Sequence, residues 1–154
     1  MNKEQSLKTF VNLSAVLTGF PAGEINPPLD PQEIAQEYFN TLTSNIDSSL
    51  VDQLLTAFQK IETESGGDSK KETALVEKQI MLDPKLGPVA RRIIRMWYLS
   101  IWYKNEPPGI NDTGKIISMN AYTRGLSWMA FQAHPMGYSE MHFGYWANAP
   151  VSND

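Results

Sequence analysis

The sequence predicts an all-α fold, a single small bundle of five or six helices, and three observations carry that expectation. Apolar residues recur at three- and four-residue steps through most of the chain instead of alternating. Glycine and proline fall mainly between those stretches, where helices must stop. The 154 residues suffice to bury one core without disulfides, which zero cysteines exclude. One unit over residues 1–154 is expected, closing in an ordered, irregular, aromatic segment at 135–154.

Leu7, Phe10, Val11, Ser14 and Leu17 share one helical face and predict a helix from Glu4 to Thr18, ended by Gly19 and Pro21. Residues 22–29 read as a loop. Asp30-Pro31-Gln32-Glu33 then offers a capping oxygen, a first-turn proline and a glutamate able to reach back, so a second helix should start there and run to Thr43. Ser48 or Asp47 caps a third, carrying Leu50, Leu54, Leu55, Phe58 and Ile61 up to the break at Ser65-Gly66-Gly67-Asp68-Ser69. Lys70 to Leu82 predicts a short fourth helix, stopped by Asp83-Pro84.

Pro88 opens a fifth helix over Val89 to Tyr103, with Ala90, Ile93, Ile94, Trp97, Ile101 and Trp102 along one broad side. Arg91, Arg92 and Arg95 hold the other side as a solvated or partner-facing basic surface. Residues 110–119 are weakly patterned and predict no particular structure. Tyr122, Leu126, Met129 and Ala130 suit a helix over Asn120 to His134 in spite of Gly125. No strand is expected.

Charge and composition exclude several functions. Residues 1–83 hold 6 basic and 13 acidic side chains and residues 84–154 hold 7 and 4, for a net charge of −4. That sign argues against nucleic acid as a partner. The longest charge-free stretches, 9–23 and 125–139, are 15 residues each and carry polar residues, whereas a membrane span needs about 20 apolar ones. Lys3, Lys8 and the run Phe10 to Phe20 imitate a signal peptide, but Asn12 and Ser14 interrupt it and the helical period accounts for it.

Candidate chemistry is sparse. His134 and His142, with Glu140 between them, invite a metal or acid–base site, and a free-standing enzyme built on 134–142 is one alternative. Their spacing matches neither His-Glu-x-x-His nor the paired Glu-x-x-His of a di-iron bundle, so no metal site is expected. Gly66-Gly67, Gly109 and Gly137 lack the context of a nucleotide loop, and no cofactor site is expected in this chain. The carboxylates lie on solvent faces, and no catalytic residues are assigned.

What stands out is ring-bearing surface. All four tryptophans, five of six tyrosines and five of seven methionines lie after residue 83. Such side chains dominate interface cores. The residues expected to meet a partner are Trp97, Tyr98, Trp102, Tyr122, Trp128, His134, Met136, Tyr138, Phe143, Tyr145 and Trp146. One unusually aromatic core, or a lone helical domain that lines a ligand pocket with these rings, are the competing readings.

Phe10-Val11-x-Leu13-Ser14-x-x-Leu17-Thr18-Gly19-Phe20, Trp97-Tyr98-Leu99-x-x-Trp102 and Ala121-Tyr122-x-x-Gly125-Leu126-x-Trp128 occur in that order. They are followed by His134-Pro135-Met136-Gly137-Tyr138 and Phe143-Gly144-Tyr145-Trp146-Ala147. Together they resemble the small (gamma) subunit of bacterial FAD-dependent sugar and polyol dehydrogenase complexes, those of sorbitol, fructose and glucose, over nearly the whole chain. The resemblance implies a non-catalytic helical partner of a large flavoprotein that holds the FAD and, in some complexes, an iron–sulfur cluster. A membrane-anchored cytochrome c subunit would pass the electrons on. It also implies that the small subunit helps the large one mature and reach the periplasm. The twin-arginine export signal common in the family is not present in this chain, so the periplasmic expectation follows from the resemblance. The sugar or polyol oxidised is a property of the large subunit.

Overall fold

A computed structural model describes residues 2–135 of the chain. The described elements, in order, are α1 Lys3–Thr18, α2 Ala22–Ile25, α3 Ile34–Asn45, α4 Ser48–Ser65, α5 Ser69–Val76, a π-helical turn Glu77–Met81, α6 Leu86–Leu99, the short strands β1 Ile101–Trp102 and β2 Lys115–Ile116, α7 Met119–Thr123 and α8 Leu126–Ala130. The domain is mostly helical, as expected. The expected tail at 135–154 lies, but for Pro135, outside the described residues.

α1 packs against α2, α3, α4, α5 and α6, so its apolar stripe supplies the middle of the core. Phe10 and Leu13 meet Tyr38 and Leu42 of α3, Leu54, Leu55, Phe58 and Ile61 of α4, and Ile93, Met96 and Trp97 of α6, all in one buried cluster. Removing each such side chain from water contributes about 1.5–3 kcal/mol, which is what holds these helices together. Among the described residues no helix is long and apolar enough to cross a membrane.

The first and third expected helices form as the sequence predicts. Asn2 caps α1 and Gly19 closes it through a hydrogen bond from its N–H to the Ala15 carbonyl. Asp47 caps α4 by accepting from the Ser49 N–H, and these bonds from Ser49 hold its carboxyl below the usual range. α3 starts later than expected. The Asp30 carboxylate accepts from the N–H groups of both Gln32 and Ile34 at 3.0 Å, folding the residues between into a turn. Glu33 has φ 48°, which no helical residue adopts, so the helix begins only at Ile34. Residues 22–25 form the short α2 instead of a loop.

The expected fourth helix divides. α5 is capped by Asp68 and gives way at Val76 to a π turn, in which the Leu82 N–H donates to the Glu77 carbonyl. This turn brings the Met81 carbonyl onto α6, where a Cβ on Gly87 would lie 2.5 Å from its oxygen. Asp83 then caps α6 by accepting from the N–H groups of Lys85 and Leu86 at 2.8 Å each, which starts that helix before Pro88.

The largest departure is at the end of α6. It stops at Leu99, not Tyr103, because Ser100 turns left-handed at φ 58°. Tyr38 donates from its hydroxyl to Ser100 Oγ at 3.0 Å, and Ser100 Oγ donates to the Ala121 carbonyl at 2.6 Å. Burial raises the Tyr38 pKa, with a smaller opposing effect from the Ser100 bond, so the phenol stays protonated as this relay requires. Ile101 and Trp102 consequently leave the helix and form a ribbon, pairing Ile101 with Ile116 and Trp102 with Lys115. Gly114 makes the return: its φ is +67°, and a Cβ there would come within 2.3 Å of Ile101 Cγ2. The expected helix over Asn120 to His134 is two short ones, α7 capped by Ser118 and α8 after an extended Gly125.

Candidate interaction surface

The expected interface residues do not share one environment. Trp97 is 2% exposed. Its indole stacks near Phe10 at 6.4 Å and meets Tyr38 edge-on at 4.7 Å. It is a core residue, and its expected place at a partner interface is corrected: the broad apolar side of α6 is wide enough for Trp97 to point inward between α1 and α3. Tyr98 is half-buried, donating to the Thr18 carbonyl at 2.9 Å and packing edge-on against Phe20.

Trp102, on β1, is half-buried, with the Arg92 guanidinium 5.7 Å from its ring centroid. Tyr122 and Trp128 join α7 to α8: their rings meet edge-on at 5.4 Å, and Trp128 Nε1 donates to the Tyr122 carbonyl at 2.7 Å. Both keep part of their surface in solvent. His134 is half-buried, its Nδ1 3.1 Å from the Pro135 carbonyl. Met136, Tyr138, Phe143, Tyr145 and Trp146 lie outside the described residues, as do Glu140 and His142. Among the described residues no group of three His, Cys, Asp or Glu is placed to hold a metal ion.

The expected basic face of α6 is only partly solvated. Arg91 pairs with Glu106 at 3.1 Å and Arg95 contacts the other Glu106 oxygen, while the Glu106 side chain is only 2% exposed. Arg92 donates to the Lys104 carbonyl at 2.8 Å. Burial, and then the charge of Arg95, lower the Arg92 pKa, with Asp112 opposing them. The segment after β1 folds back along the three arginines and gives each a partner, leaving part of their surface in solvent.

Exposed apolar bulk lies elsewhere. Leu99, Ile110, Ile116, Met119, Met129 and Phe131 are all open to solvent, from 45% for Leu99 to 80% for Phe131 and complete exposure for Ile110. Of the described residues, only Leu29 and Leu82 among the earlier large hydrophobics are comparably exposed. Sequence reasoning missed Ile110, Ile116 and Met119 because they fall in the stretch without a helical period. The run Gly114-Lys115-Ile116-Ile117, β-branched after a glycine, was the available signal for a strand.

Two clefts flank Trp102. One, of about 500 Å³, separates α3 from the ribbon and is lined by polar side chains of α3 on one wall and Trp102, Lys115 and Ile117 on the other. The second, of about 620 Å³, lies over the loop joining the strands and shares Asn45, Trp102 and Lys115 with the first. The chain matches no protein-family model, and neither the curated proteins nor the solved structures with which it was compared include a match.

Proposed function

We propose that this chain is the non-catalytic small subunit of an FAD-dependent sugar or polyol dehydrogenase complex, binding the flavoprotein subunit and assisting its folding, stability and export to the periplasm. The observation that carries the reading is the concentration of exposed large apolar side chains along residues 99–131, the stretch that also holds the half-buried Trp102 and Trp128. Scattered apolar residues are ordinary on a surface, but six within about a quarter of the described chain favour a covered surface. The resemblance of the ordered motifs to that subunit family is what points to a flavoprotein as the partner. The FAD, and any iron–sulfur cluster, belong to the large chain, and electrons would leave through a cytochrome c subunit rather than through this one.

The test is purification of the tagged chain from its native host, with identification of the companion polypeptide and measurement of its flavin absorbance. A flavin-bearing companion is expected, and its yield should fall at least about tenfold with Trp102→Ala combined with Phe131→Ala, the scale on which interface hot spots act. A companion without flavin, or flavoprotein yield indifferent to both substitutions, overturns the reading.

A further inference from the structure

The ribbon of β1 and β2 has an open edge. Ile117 donates its N–H to the Ser100 carbonyl at 3.0 Å, so in the observed register Ser100 with Ile117 and Trp102 with Lys115 are the pairs bonded across the ribbon. Ile101 and Ile116 form the pair between them, and in an antiparallel ladder the N–H and C=O groups of such a pair point away from each other. Those of Ile116 therefore face outward along β2, and no described residue bonds to them. Both residues of β2 are exposed, Ile116 by 53%.

An edge of this kind is a template for another strand unless a bulge, a proline, a charge or a covering segment closes it. The charge available on β2 is Lys115, whose side chain lies on the opposite face from Ile116, among the residues that line the clefts beside Trp102. A ribbon of two short strands is also fewer than a sheet needs to be stable by itself.

We propose that β2 pairs antiparallel with β2 of a second copy of this chain, about a two-fold axis at Ile116, joining the two ribbons into one sheet. The edge selects an extended strand, because a donor and an acceptor on the same side of one residue are what an antiparallel neighbour returns. The register argues for a second copy. An axis at Lys115 would bond Ile116 to Gly114, whose N–H already donates to Asp112 Oδ1 at 3.2 Å, and would set two lysines directly opposite each other. An axis at Ile117 would bond Ile116 to Ser118, whose carbonyl already accepts from the Tyr122 N–H at 3.0 Å. The axis at Ile116 needs neither group. There each Ile116 donates its N–H to the carbonyl of the other and accepts in return, the two isoleucines form an apolar cross-strand pair, and each Lys115 falls opposite an Ile117.

The proposal stands apart from the subunit reading. Sedimentation velocity of the intact chain over a concentration series should show a monomer–dimer equilibrium. Ile116→Pro removes the outward N–H and spares the ribbon, in which that group takes no part; it should raise the dissociation constant at least about tenfold, since each dimer loses two hydrogen bonds. Ile116→Val keeps the N–H and should dimerise as the wild type does. Unchanged circular dichroism establishes that both variants fold. A second readout does not depend on the proline. The chain has no cysteine, and bonded antiparallel pairs place their Cα atoms about 5.5 Å apart, within the span of a disulfide. Ile116→Cys should therefore oxidise to a covalent dimer at least about tenfold faster than Leu82→Cys, an exposed position away from the axis. A monomer at every concentration, a dimer that Ile116→Pro leaves unchanged, or cross-linking no faster at 116 than at 82 each overturns the proposal. A chain that is monomeric alone, but loses a co-purifying companion with Ile116→Pro, would give the edge to a strand of that companion and overturn the second-copy assignment.

Discussion

From α1 to α6, the side chains withdrawn from water are mainly hydrocarbon and aromatic, drawn from six α-helices and the π turn into one cluster. From Ser100 onward the described chain contributes only Ala121 and Leu126 to that buried cluster, with Trp102 and Ile117 packed against its edge. It is held largely by polar contacts: the Tyr38–Ser100–Ala121 relay, the burial of Glu106 against Arg91 and Arg95, and Ser118 donating to the Glu37 carboxylate at 2.8 Å. The difference teaches where free apolar surface comes from. A region whose attachment is polar can turn Ile110, Ile116, Met119 and Phe131 outward, because its own stability does not depend on burying them.

Removing an anchor from each region should therefore give different kinds of damage. Trp97→Ala empties the largest buried side chain of the helical part and should cost about 3–5 kcal/mol, read as a lower urea midpoint for the whole chain. Trp97→Phe, which keeps a ring against Tyr38 and Phe10, should cost less. A loss under about 1 kcal/mol for the alanine variant would mean that the cluster is not the shared core of α1, α3 and α6. Because Trp97 is interior, its loss reports on folding and is no probe of partner contact.

Glu106→Gln attacks the other region. It leaves two arginine side chains facing a neutral group, at a cost of about 1–3 kcal/mol; Arg91 at 41% and Arg95 at 28% side-chain exposure keep some hydration, which moderates the usual penalty for breaking a buried pair. Hydrogen exchange should quicken over residues 101–117 while α1 and α4 stay protected. Uniform loss of protection in both regions would erase the distinction drawn between them.

How far the sequence disclosed this arrangement follows the same division. α1 and α4 were legible because local signals, an apolar stripe and a terminal glycine in each and a cap at Asp47 for the second, agree with what the core demands. The end of α6 was not, since the helical period continues through Ile101 and Trp102 and no glycine or proline marks Ser100. The stop is imposed from 62 residues away by the Tyr38 hydroxyl. Glu106 likewise reads as one residue of a proline-rich loop until the fold lays it on the arginines. Trp97 and Trp102 look equivalent in sequence, yet one is core and the other borders a cleft, because the turn between them redirects the chain. The polar cleft on α3 was invisible for a complementary reason: its second wall comes from residues 102–117.

The smallest effect expected concerns the joint before α6. Asp83 accepts two backbone hydrogen bonds at the start of that helix, first from Leu86 and then from Lys85, and they hold its carboxyl below its ordinary 3.8. A carboxylate depressed in the folded state adds stability that is fully present above its unfolded pKa and lost as the pH falls through the lower, folded one. Stability should therefore be flat above the ordinary carboxylate range and decline below 3.8, with Asp47 and Asp112, both also depressed, contributing in the same direction. Asp83→Asn keeps an oxygen to cap the helix but has no charge to lose. It should lower stability near neutrality slightly, by the contribution the charge makes there, and make the acid decline, followed by circular dichroism, shallower than in the wild type. An equally steep decline in both would place the acid sensitivity of the helical region elsewhere and remove Asp83 as the electrostatic latch between the π turn and α6.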